Sequence, residues 1–434
     1  MKIMLLNNLY PPYILGGAEI VMGDMAEGLK KRGHEVIVVT SSYGLSHPQR
    51  EDSIWRALQY APPAHFDSSC SLPLRLVSLG NYYRGYHNPF NAKAMRELLH
   101  RTQPDVICVS EITGLGINSL FSVLLELKIP IVFYLQSYWL LYLHSPETAQ
   151  SRLKARWLKK LLIGPIPPLK YTSLIAVSDA VRKIYQAAGY NPEKFDIIYN
   201  GVYQHFIDTP QTLNTHTGAS ASSQENGKST ELLFVGRLCV EKGVLVLLKA
   251  LDILINKQGR KHIHVSIIGD GDAAYVRELQ LFIRNYGLNN VVTFEGRITQ
   301  NELLLFYDKA SIMLMPSIWP EPFALAAGEA MARGVPVIAS NAGGTAERIT
   351  HDVDGLLVPP GDEQALASAI TFLLDHPDQR SRLGQAAYAT VRTHFTVEAS
   401  VKRVEQHLQE IILQGHHLLR DSSFEGTGRL LMND

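Results

Sequence analysis

The sequence predicts an α/β protein built from two doubly wound parallel sheets, each in its own domain. Short β-rich runs alternate with amphipathic helical stretches, the alternation occurs twice, and a strongly polar stretch separates the two series. In the first half Lys2–Asn7, Glu35–Thr40, Val106–Val109, Ile131–Leu135, Leu174–Val177 and Ile197–Ile198 read as strands. In the second, Leu232–Val235, His264–Ile268, Val291–Phe294, Ile312–Leu314, Val337–Ala339 and Gly355–Val358 repeat the rhythm. Residues 208–230 contain one Leu and two Ala as their only hydrophobic members, a composition that buries no core and marks a solvated linker. The expected division is a first domain over 1–205, a polar linker over 206–230 and a second domain over 231–395. A helix over 396–419 is expected to pack back on the first domain, followed by a loose tail over 420–434. No repeat with a period of 20 to 50 residues is visible beyond the likeness of the two halves.

Composition narrows the class further. With 434 residues, 46% of them hydrophobic, the chain has apolar surface for more than one core, and at about 150 residues per domain two or three domains are expected. Forty-one Lys and Arg balance 41 Asp and Glu, so the chain is not built to coat nucleic acid. Three cysteines, Cys70, Cys108 and Cys239, stand far apart, which argues against a disulfide framework or a cysteine metal site and for a reducing compartment. The start offers a run of only four apolar residues, Ile3 to Leu6, before Asn7 and Asn8, too few for a secretory signal, and reads as a first strand. The longest uncharged stretch, 129–146, is interrupted by Pro130, Gln136, Ser137 and His144 and makes a poor membrane span. A cytoplasmic protein is the expectation.

Three segments carry chemistry. Gly16-Gly17 enters the first helix, where adjacent glycines let backbone approach a ligand and free N–H groups favour an anion; a tight turn alone would also use them. In the second half, strand Leu232–Val235 leads into Gly236-Arg237 and then Lys242-Gly243 before a helix. Two cations at a strand end and helix start suit a diphosphate, or are solvated surface charges. The third segment runs from Pro316 to Pro336. Pro322, Gly334 and Pro336 suggest a short helix from about Pro322 to Arg333, with free N–H groups near Phe323, Ala324 and Leu325. Glu321 precedes it and Glu329 lies inside an apolar stretch, where a carboxylate without partners is costly. Carboxylates accept from paired hydroxyls, as in a sugar or ribose; a helix-dipole partner and a buried ion pair are the structural alternatives.

Together, Glu321-x7-Glu329 and Gly236-Arg237-x4-Lys242-Gly243 resemble the donor site of family 4 GT-B glycosyltransferases. The resemblance extends through Gly16-Gly17-Ala18-Glu19, Arg32-Gly33-His34-Glu35-Val36, Ala176-Val177-Ser178, Ile198-Tyr199-Asn200-Gly201-Val202, Ile268-Gly269-Asp270-Gly271, Phe294-Glu295-Gly296-Arg297 and Ser340-Asn341-Ala342-Gly343-Gly344-Thr345-Ala346-Glu347, in the family's order. It implies two Rossmann-like domains facing across a cleft and a nucleoside-diphosphate sugar held mainly by the second. By similarity, Arg237 and Lys242 hold the diphosphate, Glu329 the ribose, and Glu321 with the backbone of Phe323, Ala324 and Leu325 the transferred sugar. Gly16 or Gly17 closes over the phosphates, and Arg297 with Ile298 flanks the base. It also implies retention of anomeric configuration, with the leaving phosphate accepting the acceptor's proton; separately, no essential metal or other cofactor is expected. The acceptor is expected to be a carbohydrate or a lipid-linked one, in polysaccharide or glycolipid assembly, selected by loops around 42–90 and 136–170.

One departure stands out. After strand Ile131–Leu135, where the family usually carries His-Asp, this chain has Gln136-Ser137, and a glutamine carries no proton or positive charge. Glu111 and His144 are candidate substitutes, or structural residues. A nucleotide-sugar-binding protein without turnover, and a hydrolase or epimerase of the same fold, are the rival readings. A lone Gly-x-Gly-x-x-Ala at 269–274 formally allows a dinucleotide, and Asp270-x-Asp272 a divalent metal, but Asp352-x-Asp354 shows how easily the latter arises. His262 and His264 read as an alternating strand pair. Residues 152–170 hold six basic residues with Leu153, Trp157 and Leu161 four apart. They read as a helix that lies peripherally on an anionic inner membrane face, or as a core-packing helix with a solvated basic side.

Overall fold

In a computed structural model, the chain is described over residues 1–61, 80, 83–144, 171–209 and 229–420, with side chains of 142–144 and 415–420 excepted. The membrane-contact reading of 152–170 and the tail from 421 onward lie outside the described residues, as does most of the polar linker. The chain forms two compact units, Met1–Ile198 with Ser400–Asp434, and Tyr199–Ala399.

The first unit is built on an eight-stranded sheet. Its strands are β1 (Lys2–Leu6), β2 (Glu35–Ser41), β3 (Gln49–Glu51), β4 (Ile54–Leu58), β5 (Val106–Val109), β6 (Ile131–Leu135), β7 (Ser173–Ala176) and β8 (Phe195–Ile197), ordered β3-β4-β2-β1-β5-β6-β7-β8. All pairs are parallel except β3 with β4. The central strands β5 and β6 are buried at every position, as expected of continuous apolar runs covered on both faces. Order reverses at β1, which pairs β2 on one side and β5 on the other, so the crevice at the carboxyl ends of β1 and β5 is the topological switch point. The last helix, Val397–Arg420, closes this unit: Val401, Val404, Leu408 and Ile411 are buried along one stripe. Glu405 accepts from Arg32 at 2.7 Å and lies 2.6 Å from His34, while His407 sits between Ser173 at 2.8 Å and Asp196 at 2.7 Å.

The second unit carries a six-stranded, wholly parallel sheet. Strands β9 (Thr230–Val235), β10 (Ile263–Ile268), β11 (Val292–Gly296), β12 (Ile312–Met315), β13 (Val337–Ser340) and β14 (Leu356–Val358) run in the order β11-β10-β9-β12-β13-β14. Here the order reverses at β9, and its switch point lies between β9 and β12. Leu232, Phe234, Val265, Ile267, Ile312 and Leu314 form a core with Leu247, Leu251, Leu366 and Ile370 from the covering helices.

Each strand read from the sequence is present, within a residue or two at its ends. The antiparallel β3–β4 hairpin is additional to these, since β3 is three exposed polar residues with no alternation to mark it in the sequence. The division between units falls at Ile198/Tyr199, earlier than the change in composition near 206. The reason is packing: in the helix Gln204–Asp208, Phe206 is buried against Tyr307 with ring centroids 5.7 Å apart. Arg333 also donates to the carbonyls of Phe206 at 3.2 Å and Thr209 at 2.6 Å. The helix expected from Pro322 begins at Leu325 and ends at Ala332, with Ala324 extended at its cap. Phe323 and Ala324 are therefore not helical, because the Phe323 ring is drawn into an aromatic cluster described below. His262 lies outside β10 at φ +61°, so only His264 is a strand residue, held by Glu231 at 2.8 Å and Thr293 at 2.9 Å.

Candidate functional site

In the second unit the loops after β9, β12 and β13 meet at the switch point. The β9 loop passes through Gly236 and Arg237 into a 3-10 turn, Val240–Lys242, and reaches Gly243 at φ +69°. A Cβ there would stand 1.9 Å from the Pro316 carbonyl oxygen, so only glycine lets the two loops approach so closely. The Ile318 N–H donates to the Glu241 carbonyl at 2.8 Å, which ties the β9 and β12 loops together. From the β13 side, the Gly344 N–H donates to the Glu321 carbonyl at 2.7 Å.

This folding places Lys242 Nζ 2.7 Å from Glu321 Oε1. The same oxygen accepts from Ser317 Oγ at 2.7 Å and from Trp319 Nε1 at 3.1 Å, and Glu321 is only 4% exposed. Arg237 stands exposed in the same loop as Lys242. Arg297 and Ile298 follow β11, the edge strand two places from β9. Leu325 opens the helix Leu325–Ala332, and Glu329 sits one turn further in.

Glu329 is buried, and its Oε2 accepts from the Tyr307 hydroxyl at 2.8 Å. Burial raises its proton affinity, opposed by the Tyr307 hydrogen bond and the nearby Arg348 charge. The Arg348 guanidinium is itself pushed down to about 9 by burial, with Glu329 working the other way. It donates to the Ala324 carbonyl at 2.8 Å and lies 4.0 Å over the Phe323 ring, which stacks on Tyr199 at 5.4 Å. Phe323 thus anchors the segment behind Glu321. Tyr307 and Arg348 are missing from the sequence reading, since neither stands in a glycine-rich or paired-acid pattern. The one available signal was the need of a buried Glu329 for partners.

In the first unit, Gly16 is extended and caps the helix Gly17–Lys31, its N–H donating to Glu19 Oε2 at 2.9 Å; both glycines are exposed. Gln136 directly follows β6 and bonds the buried Tyr134 hydroxyl. Next to it, Ser137 Oγ donates to Glu111 Oε2 at 3.0 Å, while Thr113 Oγ1 donates to Glu111 Oε1 at 2.5 Å and accepts from the Asn8 amide at 3.1 Å. The ends of β1, β5 and β6 therefore share one polar network around Glu111. Burial pushes the Glu111 carboxyl up to about 7, against the hydrogen bonds of Thr113 and Ser137 and with help from the Glu19 charge. The side chain of His144 lies outside the described residues. Among the described residues, no three His, Cys, Asp or Glu side chains are grouped as metal ligands would be, and no helix is long and apolar enough to cross a membrane.

Two doubly wound sheets with loops converging at the second sheet's switch point define an α/β architecture, and the class comes from comparison with known proteins. Residues 218–390 match the family model "Glycosyl transferases group 1" and residues 15–204 match "Glycosyltransferase Family 4", so most of the chain is accounted for. The chain belongs to the family 4 GT-B glycosyltransferases. It is 28% identical over 393 residues to an uncharacterised glycosyltransferase of Methanocaldococcus jannaschii, spanning 86% of this chain and 89% of that one. Sucrose-phosphate synthase from Thermosynechococcus elongatus superposes with a TM-score of 0.69 at 21% identity, over 95% of this chain and 100% of that one. Anabaena HepE, solved in complex with UDP and glucose, does so with a TM-score of 0.67 at 22% identity, over 94% and 100%.

Proposed function

We propose that this glycosyltransferase moves a sugar from a nucleoside diphosphate to a hydroxyl of a carbohydrate or lipid-linked acceptor, with retention of configuration, in polysaccharide or glycolipid assembly. The observation that carries the reading is the 2.7 Å contact of Lys242 with Glu321 at the β9/β12 switch point, with Arg237 in the same loop. A diphosphate gains negative charge as the sugar's anomeric C–O bond breaks, and cations held beside it stabilise that charge. An ammonium has three N–H donors, so Lys242 can keep Glu321 and still take a phosphoryl oxygen. Glu321, 2.7 Å from Lys242, suits hydroxyls of the same sugar, and Glu329 deeper in the helix suits the ribose. The acceptor oxygen forms the new bond to the anomeric carbon, and its proton passes to the leaving phosphate, so no protein nucleophile is required.

Charge neutralisation by Arg237 and Lys242 in place of a metal ion is part of the proposal. So is a supporting role for Gln136, which offers hydrogen bonds to a sugar but no proton. UDP-glucose is the first donor to test, because Anabaena HepE was also solved in complex with UDP-glucose. The experiment is calorimetry and NMR of the protein against UDP-, GDP- and ADP-sugars, following nucleoside diphosphate release over hours with and without EDTA. One donor should bind and be broken down slowly, unaffected by EDTA. Binding of none would overturn the reading.

A further inference from the structure

The Glu321 carboxylate is unevenly occupied. Three donors converge on Oε1: the Ser317 hydroxyl at 2.7 Å, the Trp319 indole N–H at 3.1 Å and the Lys242 ammonium at 2.7 Å. Among the described residues, none donates to Oε2. A carboxylate oxygen offers about two lone-pair positions, so Oε1 is saturated and further donors must go to Oε2. Both neutral donors come from the same bend as Glu321 itself, and the Glu321 backbone is pinned from the other side by Gly344. The rotamer of the carboxylate is thus set by Ser317 and Trp319 independently of what Lys242 does. This matters because Lys242 is the one of the three that a diphosphate would also engage. If Lys242 alone aimed Glu321, phosphate binding would loosen the group that must hold the sugar.

We propose that Trp319 is a positioning residue for sugar transfer: with Ser317, its indole N–H fixes Glu321 so that Oε2 alone faces the transferred sugar and accepts from two neighbouring hydroxyls. The inference rests on the proposed donor reading and deepens it. It requires the sugar to carry a free vicinal diol on the edge that meets Glu321. It also makes the half-buried Trp319 a reporter of the sugar as distinct from the nucleotide.

The test uses the full-length protein, the donor selected from the UDP-, GDP- and ADP-sugar panel, and the variants Trp319→Phe and Ser317→Ala. Trp319→Phe keeps an aromatic ring and removes the N–H. It should lower kcat for donor breakdown about tenfold while changing the donor KM less than about threefold, and the double variant should lose more than either alone. Indole emission of the wild type should respond to the sugar nucleotide and not to the matching nucleoside diphosphate, and that difference should vanish in Trp319→Phe. A Trp319→Phe enzyme with wild-type kcat, or one that loses only donor affinity, overturns the inference while leaving the donor reading intact. Failure of the wild type to bind any donor on the panel overturns both.

Discussion

At the scale of single residues, the proposed division of the second unit's charges by task can be measured. Lys242 and Arg237 are expected to stabilise charge on the leaving diphosphate, so Lys242→Ala or Arg237→Ala should each lower turnover or donor affinity by about two orders of magnitude. Steady-state kinetics on the bound donor checks this, and wild-type constants would refute the assignment. Glu329, proposed to hold the ribose, has a different contact. Among the described residues the Tyr307 hydroxyl alone donates to its carboxylate, at 2.8 Å, in buried surroundings where losing that hydrogen bond leaves a carboxylate oxygen unmet. Tyr307→Phe should therefore weaken nucleotide binding by about tenfold with little change in kcat, read by calorimetry with the nucleoside diphosphate alone. In the first unit Glu111 is faced by Thr113, Ser137, Glu19, Tyr60 and Tyr185. Its carboxyl, raised from 4.5 to about 7 by burial, keeps a proton in the folded state that the unfolded chain releases. Stability therefore falls as pH rises from about 4.5 to about 7 and levels off above it. Glu111→Gln should remove this slope and stabilise the protein by about 1–3 kcal/mol above neutrality, measured as unfolding midpoints at pH 6 and pH 8.

At the scale of elements, what the sequence revealed depended on whether one segment carried its own signal. The buried strands did, because runs such as Val-Ile-Cys-Val at 106–109 and Ile-Val-Phe-Tyr-Leu at 131–135 are apolar throughout and flanked by turn residues. The loop glycines did as well, and Gly243 shows why: at φ +69° with the Pro316 carbonyl 1.9 Å from any Cβ, no other residue fits. Gly243→Ala should shift the β9 loop away from Pro316 and destabilise the fold by more than about 1 kcal/mol. Donor binding should drop with it, and nucleotide affinity together with the unfolding midpoint checks both. What stayed hidden depends on residues distant in sequence. Pro322 looked like a helix start, yet Tyr199 and Arg348 hold Phe323 out of the helix. Tyr307 is 22 residues from Glu329 and meets it only through the packing of neighbouring helices on the sheet. The Glu111 network joins β1, β5 and β6 across more than a hundred residues, so its members could be named singly but not as a group.

At the scale of the whole molecule, the chain crosses between units twice, leaving the first at Ile198 and returning to it at Ser400. The first unit is therefore incomplete until the final segment has been made. Val401, Val404, Leu408 and Ile411 are buried in it, and at about 1.5–3 kcal/mol for each fully buried aliphatic their loss is on the order of 6–12 kcal/mol. That is comparable with the whole stability of a typical domain, about 5–15 kcal/mol. Truncation would also strip Arg32 and His34 of Glu405, and leave Ser173 and Asp196 without His407. A chain ending at Ala399 should accordingly lose the native fold of its first unit. The second unit lies wholly within Tyr199–Ala399 and contains Arg237, Lys242, Glu321 and Glu329, so it should persist. Hydrogen exchange separates the two outcomes: in the truncated chain, amides of β1, β5 and β6 should exchange freely while those of β9, β10 and β12 stay protected. Nucleotide should still bind, because no residue assigned to the ribose or diphosphate in the second unit has been removed, whereas sugar transfer should be abolished with the first unit's contribution. Equal protection of both sheets after truncation would show that the first unit folds without its closing helix, and the discontinuous organisation would then have no consequence for stability.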